Sequence, residues 1–197
     1  MPTISLCSRI ATWLEHYPDP HASAEENAAR RVAEDSWLAG FAGLDELSRS
    51  QVEELVSWKF QSMPHRRAQA MKGITPQRWN NRGCSAGAAD LIRQALANED
   101  DYQALAIIAV SGSGIYRFGP AMGSVLLAAC RPGKFTIADS RALKALRALG
   151  LMPDGHPSFQ MDDWRPYLNA CRDLAVRCGT SLRDIDRALW IAAAGAP

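Results

Sequence analysis

Apolar residues recur at three- and four-residue spacing along most of the chain, and no window shows the sustained two-residue alternation of a strand. The pattern predicts an all-α protein. A first helical region spans about residues 2–40 and is interrupted at Tyr17-Pro18-Asp19-Pro20, with Trp13, Leu14, Val32 and Trp37 as core or docking positions. Leu47, Val52, Leu55, Val56 and Phe60 mark the next helix, which Asp45 or Ser48 can cap and Pro64 ends or kinks. After a basic segment, helices are expected over 86–97, 105–110, 120–130, 141–149, 164–177 and 181–193. Gly112-Ser113-Gly114 closes one of them and Pro120 opens the next. Asp139 and Gly150 bound the helix between them, and Ser181 with Asp184 has capping-box spacing.

Length and composition narrow this picture. A chain of 197 residues with 47% apolar and 22% charged positions is ordinary globular material, read as one domain. Residues 1–42 are expected as a helical extension packed on it, and 101–150 as its core. No run approaches eighteen apolar residues, so no membrane span is expected, and the N-terminus lacks a signal-peptide pattern. Five cysteines, an odd number, suggest a reducing cytoplasm rather than a disulfide framework. Cys171 and Cys178 fall on one helix face, as core rather than ligands. The four histidines have no ligand spacing, so no metal or other cofactor is expected. A monomer is the favoured state.

Charge distribution adds a direction. Residues 1–54 hold ten acids and four bases, whereas 55–89 hold no acid and six bases: Lys59, Arg66, Arg67, Lys72, Arg78 and Arg82. A second acid-free run, 102–138, carries Arg117, Arg131 and Lys134. Such a distribution suits either a solvated basic face or a surface kept clear of carboxylates for a polyanion.

The segment that gathers these features is SGSGIYRFGPAMGSVLLAACRPGKFTIADSRALKALRALGLM, from Ser111 to Met152. A helix, a glycine-bearing hairpin, a second helix opening at Gly119-Pro120, and an aspartate heading a third helix follow one another. This order resembles the core of the helix-hairpin-helix DNA glycosylase superfamily. The resemblance implies a helix-hairpin-helix glycosylase-like orthogonal bundle that binds double-stranded DNA. Gly119, the backbone of Ala121 and Gly123, and the Ser124 hydroxyl are the phosphate candidates, because a helix start attracts anions. Arg117 stands where the family's first hairpin glycine would fall. Arg66, Arg67, Arg78, Arg82, Arg131 and Lys134 are the further DNA-binding candidates, and Tyr116 and Trp79 the wedge or stacking candidates.

By the same resemblance Asp139 is the catalytic carboxylate of a base excision, stabilising the sugar cation and positioning water. By its position it is equally a helix cap. The family's Schiff-base lysine would fall at Ala121, so any excision is expected to be monofunctional. No cysteine follows Cys178, so no iron–sulfur cluster is expected. The competing expectation is a non-catalytic DNA- or protein-binding module on the same scaffold.

Overall fold

The computed structural model describes residues 5–80 and 86–195. Every regular element among them is helical: α1 (Leu6–Glu15), α2 (Ala24–Ala39), α3 (Arg49–Lys59), α4 (Pro64–Met71), α5 (Pro76–Trp79), α6 (Ala88–Leu96), α7 (Asp101–Ala109), α8 (Pro120–Cys130), α9 (Ser140–Ala148), a 3₁₀ turn (Met161–Asp163), α10 (Trp164–Cys178) and α11 (Leu182–Ala192). None of these helices is long and apolar enough to cross a membrane. The chain divides into two compact units, residues 43–131 and the remainder. The boundary runs through the 101–150 stretch, and residues 1–42 share a unit with the C-terminal helices.

In the discontinuous unit α11 is the centre, contacting α1, α9 and α10. Ser181 caps it, accepting from the Asp184 N–H at 3.0 Å, and Leu182, Ile185, Leu189 and Ile191 are buried. Helix α1 contributes Ile10 and Trp13. Helix α2 departs from the expected apolar pattern. Val32, expected as a core or docking position, is 69% exposed, and the only buried residue of the helix is Asn27. The inward stripe is polar instead. Asn27 donates to the Glu15 and Asp19 carbonyls and accepts from the Asp19 N–H, fixing the turn between α1 and α2. Arg31 donates to the Leu14 carbonyl.

One turn further along α2, Glu34 meets two arginines of α11. It lies 2.6 Å from Arg187 Nη2 and 2.7 Å from Arg183 Nη2. Arg187 is only 1% exposed and also pairs with Asp35 and Asp184, while Arg183 pairs with Asp186 and donates to the Tyr17 hydroxyl. Burial pushes the Glu34 carboxyl up, but the two guanidiniums outweigh it and hold it below the ordinary range. Burial pushes the Tyr17 phenol up to about 12.

A disulfide joins Cys7, in the first turn of α1, to Cys178, the last residue of α10. Cys178 was expected in the core beside Cys171. The bond takes it instead, while Cys171 and Cys130 stay free and buried. Disulfides belong mainly to oxidising compartments, so the odd cysteine count does not by itself argue for a reducing one.

In the unit 43–131, α7 packs on α6 and α8, and α3 packs on α4 and α8. Ser48 caps α3 in a reciprocal capping box with Gln51. Helix α3 stops at Lys59, ahead of Pro64, which neither ends nor kinks it but opens α4 as a first-turn proline. Helix α8 is buried along most of its length, from Met122 to Leu127 and at Ala129 and Cys130.

Candidate nucleic-acid interface

The hairpin between α7 and α8 is built by short-range closure. The Gly114 N–H donates to the Val110 carbonyl and the Ile115 N–H to the Ile108 carbonyl, each at 2.8 Å. Gly112 lies at φ +92°, and a Cβ on Gly114 would fall 2.4 Å from the Ile108 oxygen, so both glycines are required by the backbone path. Ile115 and Phe118 then turn inward, and the Phe118 N–H donates to the Ile115 carbonyl at 2.9 Å. The tip of this four-residue turn is Tyr116-Arg117. Arg117 has φ +65°, and it is the only non-glycine among the described residues with positive φ. A side chain there costs about 1–2 kcal/mol relative to the right-handed region, so glycine is the ordinary occupant.

Gly119 follows as the N-cap of α8, with no side-chain cap and Pro120 at the first turn. A Cβ on Gly119 would meet nothing within 4 Å. The Met122 and Gly123 N–H groups donate to the Gly119 carbonyl and Pro120 has no N–H, so the Ala121 N–H is the first-turn donor left at the positive end of the dipole. Gly123 and Ser124 have different work. A Cβ on Gly123 would lie 2.8 Å from Leu105 Cδ1, so this glycine permits α7 and α8 to pack closely. Ser124 is fully buried, with its hydroxyl donating to the Ala121 carbonyl at 3.2 Å. Ala121 itself is half-buried in the first turn.

Around the tip, cations gather on an aromatic ring. The Arg78 guanidinium carbon is 4.2 Å and that of Arg117 5.0 Å from the centroid of Tyr116, which is 43% exposed. A hydrogen bond from Arg117 and its charge, with those of Arg78 and Lys72, hold the Tyr116 phenol below its ordinary range. Neither Arg78 nor Arg117 forms an ion pair with a carboxylate among the described residues. Trp79 is half-buried at the end of α5, and Arg66 and Arg67 are exposed on α4.

Not every basic candidate is available. Arg131 donates to the Leu44 carbonyl at 2.8 Å and pairs with Asp45, which fastens the two ends of its unit. Lys134 Nζ sits 5.1 Å from the Phe135 ring centroid, in the other unit. Arg82 lies outside the described residues.

Two residues of this neighbourhood are not among the site candidates: Lys72, expected only as part of the basic segment, and Gly73. Lys72 joins the cations near Tyr116, and Gly73 lets the α4–α5 connection reach the hairpin. A Cβ on Gly73 would fall 2.1 Å from the Tyr116 carbonyl oxygen. The only local signal is a glycine just past the end of a helix. Gly73→Ala is expected to cost about 2 kcal/mol through overpacking against a backbone atom, measured by urea denaturation.

Asp139 belongs to the discontinuous unit, whereas the hairpin belongs to the unit 43–131. Asp139 is the N-cap of α9, half-buried, and accepts from the Arg141 N–H at 2.8 Å. Nearby, the buried Tyr167 donates its hydroxyl to the Ile137 carbonyl at 3.0 Å. Burial raises that phenol, and the charges of Cys171, Asp186 and Asp139 add to the effect.

Comparison with protein-family models, curated proteins and solved structures returns no match.

Proposed function

We propose that this chain is a DNA-binding protein of helix-hairpin-helix type, gripping a backbone phosphate at the Arg117–Ala121 turn. One observation carries the reading. Arg117 holds the left-handed backbone of the position at which the resemblance calls for glycine, ahead of a helix start that has no side-chain cap. A left-handed residue there is compatible with a phosphate-binding hairpin, and its side chain adds a cation at the tip. Exposed Arg66, Arg67 and Arg78 in the same unit supply further charge without a carboxylate in the 55–89 segment. The excision reading adds Asp139 as the carboxylate. Its capping bond from the Arg141 N–H orients the group at the head of α9.

Fluorescence anisotropy with a labelled duplex tests the grip. Affinity is expected to fall linearly on a logarithmic salt scale, and Arg117→Gly to reduce the slope by about one phosphate contact. The same substitution relieves the left-handed strain, so its stability should equal or slightly exceed that of the parent. Ala121→Glu places an acid in the first turn, which favours the helix but repels phosphate, and should weaken binding at least about tenfold. Salt-independent binding would remove DNA from the reading. Alkali nicking of duplexes bearing uracil, alkylated or oxidised bases tests excision. Loss of nicking in Asp139→Asn with retained binding supports it, and undiminished nicking takes Asp139 out of the mechanism.

A further inference from the structure

We infer that the pocket beside Tyr116 binds a phosphomonoester carried on a nucleoside, as a free nucleotide or as the phosphorylated end of a strand. The cavity is about 180 Å³, and its wall includes Gly73, Arg78, Leu91, Ser113 and Tyr116. It lies entirely within the unit 43–131 and is distinct from the helix start at Gly119, which does not line it.

Three features point to this ligand. First, the Arg78 guanidinium carbon lies 4.2 Å from the Tyr116 ring centroid on the pocket wall, and a guanidinium can address an anion bidentately. Second, positive charge is concentrated here. Arg78 and Arg117 both lie near one ring, Lys72 is within electrostatic reach, and Asp90, between the wall residues Ala88 and Leu91, pairs with Arg93 at 2.9 Å. Gathering like charges is unfavourable until an anion arrives. Third, the recess is concave and backed by the close approach of Gly73 to the Tyr116 carbonyl. A terminal group can enter such a recess, whereas a continuous backbone passes across it. A phosphomonoester also carries more charge than an internal diester. Ala88 and Leu91 contribute apolar wall suited to the nucleoside.

The strand-end source rests on the DNA reading above; the nucleotide source does not. Calorimetry on the full chain, with thymidine 5′-monophosphate, thymidine and inorganic phosphate as probes, tests the pocket. The nucleotide is expected to bind at least about tenfold more tightly than the nucleoside, the scale of one charge-assisted hydrogen bond. Arg78→Gln should abolish that difference with an unchanged unfolding midpoint, and Arg78→Lys should restore only part of it. In parallel, anisotropy compares duplexes with 5′-phosphate and 5′-hydroxyl ends.

Discrimination in both assays supports the inference with strand ends as the source, and discrimination among the small probes alone supports it with nucleotides as the source. If duplexes bind but neither assay discriminates, the pocket inference falls and the hairpin reading stands. If no duplex binds but the nucleotide is preferred through Arg78, the hairpin reading falls and the pocket stands. Inorganic phosphate binding as tightly as the nucleotide, or a preference that survives Arg78→Gln, overturns the assignment.

Discussion

Glu34→Ala is expected to destabilise the protein by about 3 kcal/mol, the low end of the range for breaking a buried ion pair from one side, because both arginines keep other carboxylates. Removing the carboxylate leaves Arg187, 1% exposed, without its contact of 2.6 Å and leaves Arg183 without one of its partners. Arg187 keeps Asp35 and Asp184 and Arg183 keeps Asp186, so the loss is the reduced compensation of two cations, and that can be measured. Adding Arg187→Met to Glu34→Ala should recover much of the stability, giving a favourable coupling in a double-mutant cycle. Additive losses would show that Glu34 acts through packing alone.

The same carboxylate gives stability an acid limb. Its folded pKa lies below the ordinary value of 4.5, so below that pH the unfolded chain binds protons that the folded chain does not. Stability contributed by Glu34 is therefore complete above about pH 4.5 and declines as pH falls toward the lower folded value. Glu34→Gln should flatten this limb. Urea midpoints measured across the acid range decide it, and an unchanged slope would mean that other carboxylates carry the acid sensitivity.

What the sequence revealed was local. Capping at Ser48 and Ser181, the proline start of α8 and the Asp139 cap depend on residues within one turn of each other, and all are in place. The turn at Arg117 was legible as a departure from glycine, but its left-handed backbone was not, because φ is set by the closure from Ile115 to Phe118. Helix α2 is hard to read for the opposite reason: its inward face is polar, so hydrophobic periodicity marks Val32, which the core does not bury. Contacts between distant positions left no local trace. Glu34 and Arg187 are 153 residues apart, and nothing near Gly73 announces that the Tyr116 carbonyl will lie against it. The cysteines are the extreme case, since counting them weighs compartments but cannot pair two positions separated by 171 residues.

Reduction of the Cys7–Cys178 bond is expected to lower stability by about 2–5 kcal/mol, near the upper end if chain entropy dominates a loop of this length. For a chain of this size that corresponds to a fall in Tm of roughly 10 °C. The fold itself should survive, because Ile10 and Trp13 of α1 remain buried and α11 keeps its packing with α1. Cys7→Ser should reproduce the reduced Tm and make the protein indifferent to reductant. Thiol labelling supplies an independent check. Burial pushes the Cys130 thiol up to about 11 and the Cys171 thiol higher still, so neither presents the reactive thiolate in the folded state. Cys7 and Cys178, both only half-buried, should become the newly labelled positions on mild reduction. A Tm that does not respond to reductant, together with native-like stability in Cys7→Ser, would show that α1 is held by its apolar face and not by the bond.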